Sequence, residues 1–281
     1  MYCNLNNSSN FTFKFRDQSV TFCSFPESSR IALVLNLDLF IYKQNNPMRS
    51  SIKRPSDDEC DLSGFQLFKK LTEHEMAQLN YDKTSSLYKK GSIIYREGSR
   101  LTGFFCVTRG ILKIFKTGID GKEQIIRFAK KGDIIAYRSL LSQELACTTA
   151  KVIEEAVLSH IPYQTLLYLI QNNWQFAHHM LQIVCKELRE ANDYITDIAQ
   201  KTVRERLAEV LLLLKENFEL DNANTLQISL TREELANMVG TATESVIRLL
   251  SEFKQDQLID LQGRKIKFIN VPGLTKVANL Q

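Results

Sequence analysis

The chain has no Cys-x-x-Cys pair, no long apolar run and no large excess of one charge, and each absence removes a class of function. Its six cysteines, Cys3, Cys23, Cys60, Cys106, Cys147 and Cys185, are never closer than 20 positions. Local zinc and redox motifs and a tight iron-sulfur cluster are thereby excluded, and reduced, buried thiols are the expectation for Cys106, Cys147 and Cys185. The longest apolar candidate, Ile31 to Tyr42, is interrupted by Asn36 and Asp38 and falls short of the roughly 18 to 20 residues of a membrane span. It lacks the basic start and small-residue cleavage site of a signal peptide, so a cytoplasmic protein with no membrane partner is expected. A net charge of +4 over 281 residues neither argues for nucleic-acid binding nor excludes it, because a few cations on one face suffice. The composition, 44% hydrophobic and 24% charged, is that of a globular protein with room for two cores.

The first 47 residues are rich in Asn, Ser and Phe without a settled period. They are read as a leader outside the working fold, with translation expected to begin near Met48. A helical pattern follows at Phe65, Leu67, Phe68, Leu71, Met76 and Leu79, and Thr72-x-x-Glu75 inside it predicts a break and a new, capped helix. From Leu87 to His160 the period shortens. Apolar runs at Ser92–Tyr95, Phe104–Thr108, Ile111–Phe115, Gln124–Phe128, Ile134–Tyr137, Ala150–Ile153 and Ala156–Ile161 alternate with glycines, predicting a small antiparallel barrel or roll. Asp120-Gly121 predicts a type I' hairpin turn.

Beyond Pro162, expected in the first turn of a helix, the pattern stays helical. Ala177, Leu181, Val184, Leu188, Ala191, Ile195 and Ile198 recur at spacings of four and three, a heptad seam that predicts pairing with a second copy of the chain. Gln200–Phe218 reads as a further amphipathic helix, with Val203, Leu207, Val210, Leu211 and Leu214 on one face.

Two short helices follow. Thr231 and Glu234 suit a capping box, Gly240 suits the reversal, and a second helix begins in Thr241-Ala242-Thr243-Glu244-Ser245. Two helices joined by a tight glycine turn form a helix-turn-helix whose second helix can enter the DNA major groove. Leu235, Val239, Val246 and Leu250 would lock the pair, leaving Thr243, Glu244 and Arg248 outward as base-contacting candidates. Arginine can donate twice to guanine and glutamate can accept from cytosine; the competing reading is a Thr241-x-x-Glu244 capping box with Arg248 paired to Glu244. Leu258–Leu261 and Lys265–Ile269 flank Gln262-Gly263-Arg264 as a hairpin wing. Phosphate contacts are assigned to Thr231, Arg232, Thr241, Ser245, Arg264 and Lys265.

From Gly64 to Pro272 the chain resembles the Crp/Fnr superfamily of bacterial transcription regulators, through Thr231-Arg232-Glu233-Glu234-Leu235-Ala236-x-x-Val239-Gly240 and Thr243-Glu244-Ser245-Val246-x-Arg248-Leu249-Leu250. The turn glycines in Lys90-Gly91, Tyr95-x-Glu97-Gly98, Arg109-Gly110 and Lys131-Gly132-Asp133 fall where the family's cyclic-nucleotide-binding roll has them. The resemblance implies an α+β protein: a cyclic-nucleotide-binding-like antiparallel β-roll (64–172), a dimerisation helix (173–199) whose seam includes Leu181, Val184, Leu188, Ala191 and Ile195, and a winged helix-turn-helix (200–272). It also implies that Glu244 and Arg248 contact bases in half-sites containing TGA or a related triplet, and that RNA polymerase can be a partner.

The effector pocket departs from the family's nucleotide-binding pattern. Where relatives that bind cyclic AMP carry a Gly-Glu pair and an Arg-Ser or Arg-Thr pair, this chain has Ala136-Tyr137-Arg138-Ser139 and Ala146-Cys147-Thr148-Thr149. A buried phosphate without a cation is costly, so ordinary cyclic AMP binding is not expected unless Arg138 reaches inward. Tyr137, Arg138, Ser139, Cys147 and Thr148 are assigned to the pocket, which takes either an unidentified small-molecule effector or no ligand, the roll then being a scaffold. The oxygen-sensing branch has an N-terminal cysteine cluster that Cys60 alone cannot replace, and His178-His179 lacks spaced partners, so no cofactor or metal is assigned. No nucleophile–base pair or phosphate-cradling loop is present, so the chain is not read as an enzyme. The expected function is a homodimeric, sequence-specific, effector-controlled regulator binding double-stranded DNA. The alternative is a cyclic-nucleotide-binding module acting through a protein partner, which would have no use for a winged helix.

Overall fold

The computed structural model describes residues 60–279, Ser56 and three strands nearer the N-terminus. Those strands, β1 (Cys3–Leu5), β2 (Phe11–Phe15) and β3 (Gln18–Phe22), pair in the order β1-β2-β3 as an antiparallel sheet. The sequence predicts no element there. The alternation Phe11-Thr12-Phe13-Lys14-Phe15 is nonetheless a period-2 pattern of the kind strands carry. The remaining expectations for the leader, including a start at Met48, lie outside the described residues. Contacts divide the chain into two units, Met1–Ile52 and Lys53–Gln281, and every element after β3 belongs to the second.

After a 3-10 turn (Gln66–Phe68), α1 (Glu73–Asp82) begins at the predicted capping box. The Glu75 amide donates to Thr72 Oγ1 at 3.3 Å and the Thr72 amide donates to Glu75 Oε2 at 2.8 Å. The roll is built from β4 (Thr84–Tyr88), β5 (Ile93–Tyr95), β6 (Gly103–Thr117), β7 (Glu123–Ala129), β8 (Ile134–Ile135) and β9 (Thr149–Pro162). Its sheet order is β4-β9-β6-β7, with β5 on β9 and β8 on β6. The pairs predicted as separate runs, Phe104–Thr108 with Ile111–Phe115 and Ala150–Ile153 with Ala156–Ile161, are each one continuous strand. Gly110 is a bulge rather than a chain reversal: its φ is +86°, and a Cβ there would lie 2.3 Å from the Glu155 carbonyl oxygen.

The hairpin at Asp120-Gly121 is present, but its turn is not type I'. The Gly121 amide donates to the Gly118 carbonyl at 3.0 Å, and of Ile119, Asp120 and Gly121 only Gly121, φ 75°, is left-handed. This is a tight turn closed by a glycine bulge. The run Ile134–Tyr137 is also cut short, because Ala136 adopts φ 72° and turns the chain into α2 (Tyr137–Leu141).

Pro162 ends β9 and caps α3 (Tyr163–Asn172), one position ahead of its predicted place. Asn173 then restarts the helix as α4 (Trp174–Gln200), its side chain accepting from the Phe176 amide at 2.9 Å. Helix α5 (Val203–Asn217) has its own capping box, Thr202 with Glu205. The C-terminal module comprises α6 (Arg232–Val239), α7 (Thr243–Gln255), β10 (Ile259–Gln262), β11 (Lys265–Phe268) and an unpredicted α8 (Val271–Val277) capped by Asn270. Its core of Leu207, Leu211, Leu235, Val246, Leu250 and Phe253 is continuous with Phe115, Ile125 and Ile153 of the roll. Among the described residues no helix is long and apolar enough to cross a membrane.

Candidate nucleic-acid interface and sensor cleft

Helix α6 starts at Thr231, whose Oγ1 accepts from the Glu234 amide at 3.1 Å while the Thr231 amide donates to Glu234 Oε2 at 2.9 Å. It ends at Gly240, left-handed with φ 73°. Leu235, Val239, Val246 and Leu250 are all buried and lock α6 to α7 as predicted. The competing Thr241–Glu244 capping box does not form, because α7 begins one residue later, with Ala242 at the cap and no side-chain bond to it. Glu244 therefore stands exposed and, among the described residues, makes no hydrogen bond or ion pair. Arg248, exposed one turn on, donates to Glu252 Oε1 at 2.5 Å rather than to Glu244. Such an exposed pair is worth about 0.3–0.5 kcal/mol, against about 1–3 kcal/mol for a bidentate contact to guanine, so Arg248 is free to be redirected. Thr243 is half-buried beside them, and Ile247, which carries no polar signal for sequence reasoning to find, is exposed on the same helix.

The phosphate candidates divide. Arg264 and Lys265 are exposed on the wing turn. Thr231, Thr241 and Ser245 are half-buried near the two helix starts. Arg232 is already committed: its NH2 donates to the Gly263 carbonyl at 2.8 Å, tying the start of α6 to the wing, and burial lowers its guanidinium pKa.

Along α4 the predicted seam faces solvent, with Leu181 60%, Leu188 62% and Ile195 65% exposed and Ala191 beside them. Val184 is half-buried against the roll core. The lower end of α4 and the roll hairpin hold the helix-turn-helix. Lys122 Nζ donates to the Thr241 carbonyl at 2.7 Å, Gln124 Nε2 to the Asn237 carbonyl at 2.6 Å and Tyr194 Oη to the Met238 carbonyl at 3.5 Å. Arg206 Nε donates to the Val239 carbonyl at 3.1 Å. The carbonyls that a helix end leaves without intrahelical partners are thus taken by the roll, α4 and α5.

Tyr137, Arg138, Ser139, Cys147 and Thr148 line one cleft in the roll, together with Tyr95 and Arg127, which the sequence does not single out. Arg138 turns toward α4, its Nε 3.4 Å from Glu187 Oε2, with 40% of its side chain still exposed. Arg127 NH2 lies 3.4 Å from Glu187 Oε1 and donates to the Ile134 carbonyl at 2.9 Å. The Tyr137 phenol is pushed above its ordinary pKa by burial and by the Glu187 carboxylate. The free space is about 20 Å³, room for roughly one water and far below the 300–1,000 Å³ of ligand pockets. Burial raises the Cys106 thiol pKa, whereas Cys147 and Cys185 are exposed, contrary to the expectation that all three are buried. His178 packs against Trp174, and no cluster of three or more metal-ligating side chains occurs among the described residues.

Residues 86–173 match the cyclic nucleotide-binding domain family and residues 205–277 the Crp-like helix-turn-helix domain family. The chain belongs to the Crp/Fnr superfamily. It is a Crp/Fnr-type transcription regulator with a helix-turn-helix DNA-binding domain and a cyclic-nucleotide-binding-like domain. It is 28% identical to the transcriptional activator protein FnrA of Stutzerimonas stutzeri, over 78% of this chain and 91% of that protein. Against the fumarate and nitrate reduction regulatory protein of Escherichia coli K12 the figures are 25%, 78% and 89%. Its fold is shared with FixK2 of Bradyrhizobium japonicum (TM-score 0.63, 24% identity, 69% of this chain and 96% of that one). The c-di-GMP responsive regulator CLP of Xanthomonas campestris has the same fold (TM-score 0.62, 20% identity, 70% and 99%). Within the Crp-like helix-turn-helix match, α7 is the second helix of the pair and β10–β11 the hairpin that follows it.

Proposed function

We propose that this Crp/Fnr regulator acts in the cytoplasm as a homodimer, pairing through Leu181, Val184, Leu188, Ala191 and Ile195 and reading a palindromic operator with both copies of α7. Glu244, Arg248 and Thr243 address base edges, Ile247 offers an apolar contact to a thymine methyl, and Arg264, Lys265, Thr241, Ser245 and Thr231 address phosphates. Arg232 contributes by holding the wing in register. A small-molecule effector acting on the roll sets the relative placement of the two recognition helices, and RNA polymerase is a further partner at the promoter.

The observation that supports this reading most is the exposure of Glu244 and Arg248 one turn apart on a helix whose opposite face is fully buried. The test is fluorescence anisotropy with a palindromic TGA-type operator. Arg248→Ala is expected to weaken operator binding by about tenfold or more while leaving random DNA binding unchanged, since one bidentate base contact is worth about 1–3 kcal/mol. Equal operator affinity of variant and parent would remove α7 from base reading.

A further inference from the structure

Three cationic or proton-donating groups of the roll converge on a single carboxylate of the dimer helix. Arg127 comes from β7, Tyr137 and Arg138 come from α2, and Glu187 comes from the middle of α4, with only 16% of its side chain exposed. The other nearby carboxylate, Asp133, is 4.0 Å from Arg127, and its Oδ2 is engaged by the Lys130 amide at 2.8 Å. Glu187 is therefore the main counter-charge of the cleft.

It is a poorly fitted one. Both guanidinium contacts are 3.4 Å, about half an ångström beyond a good charge-assisted hydrogen bond. Glu187 Oε2 and the Tyr137 hydroxyl are both buried without a hydrogen bond of good geometry, although the carboxylate lies close enough to raise the phenol's pKa. As placed on the helix, the carboxylate meets each arginine only at 3.4 Å and forms no well-made hydrogen bond with the phenol. A free oxyanion, able to settle among them, has the shape and charge to satisfy all three.

We infer that Glu187 is a built-in stand-in for the effector: it holds the cleft shut, and a small molecule carrying a phosphate or carboxylate displaces it to bind Arg127, Arg138 and the Tyr137 hydroxyl. Displacement breaks the roll's grip on the midpoint of α4, the helix that carries the dimer seam. This rests on the reading that the roll controls DNA binding, and it specifies the chemical class of the effector and the group it must evict. It also accounts for a cleft too small for any ligand despite two arginines in its wall, because closure is the work of the tethered carboxylate.

The test uses the full chain, with inorganic phosphate and acetate as probes at matched ionic strength, read by calorimetry. Glu187→Gln keeps the shape and removes the charge. It is expected to bind at least one probe about tenfold or more tightly than the parent, and the double variant Glu187→Gln with Arg138→Gln is expected to lose that gain. Equal affinity of parent and Glu187→Gln, or a gain that survives loss of Arg138, overturns the proposal. Should Glu187→Gln fail to fold, Glu187→Asp withdraws the carboxylate by one methylene; it is expected to bind more tightly than the parent, and no gain again overturns it. In the operator assay, probe-free Glu187→Gln is expected to shift affinity in the same direction as saturating probe shifts the parent, and no shift or an opposite one removes the switch. A parent that binds no operator at all would instead overturn the DNA-binding reading, which the calorimetry does not test.

Discussion

Thr231 illustrates what single residues contribute. Its side chain and that of Glu234 each satisfy an amide that the start of α6 would otherwise leave unpaired. Thr231→Ala is expected to cost about 1 kcal/mol and lower the melting midpoint by roughly 2–4 °C, with Thr231→Ser restoring most of it, as followed by circular dichroism. Caps of this kind are legible in sequence because both partners lie within one turn: the boxes read at Thr72 and Thr231 both form, the competing one at Thr241 does not, and one forms at Thr202 that the sequence reading does not single out. Arg127 is not legible, because only the folding of β7 against α4 brings it to Glu187, 60 positions away in the chain. Arg232 has a partner that is hidden for a related reason: the Gly263 carbonyl belongs to a wing that sequence spacing does not place beside it.

At the scale of elements, the exposed stripe on α4 carries a consequence for assembly. Leu181 and Leu188 are more than half exposed in the single chain, and a buried leucine contributes about 1.5–3 kcal/mol, so the stripe stores considerable association energy. Replacing both with Asp is expected to leave a folded monomer by light scattering and to reduce operator affinity at least about tenfold, because two linked half-sites become one. The exposed stripe is readable from its 3-4 spacing alone. Strand limits are less readable: Gly110 looks like a turn in sequence, yet it lets β6 pass within van der Waals reach of β9 at Ala156. A glycine required by close approach and one required by a reversal leave the same mark on a sequence.

For the whole molecule, the order of roll, long helix and winged module is legible, whereas the contact between roll and helix-turn-helix is not. Lys122 and Gln124 are ordinary polar residues of a hairpin, but from more than a hundred positions away they reach the carbonyl of Thr241 in the turn and that of Asn237 in the last turn of α6. Two such bonds are worth about 0.5–1.5 kcal/mol each. Replacing both residues with Ala is expected to speed hydrogen exchange at Val239–Thr241 by about tenfold while leaving the roll core protected; unchanged exchange would show that the clamp is not holding the turn. The long helix connects these distant points mechanically. From Glu187 to Gln200 is about 20 Å at 1.5 Å per residue, so a tilt of about 10° pivoting at Glu187 sweeps the lower end of α4 through roughly 3.5 Å. That is about the rise of one base pair. Under the proposed dimeric reading, the two copies of this helix would act as levers moving in opposite directions, each with a throw close to one base-pair step.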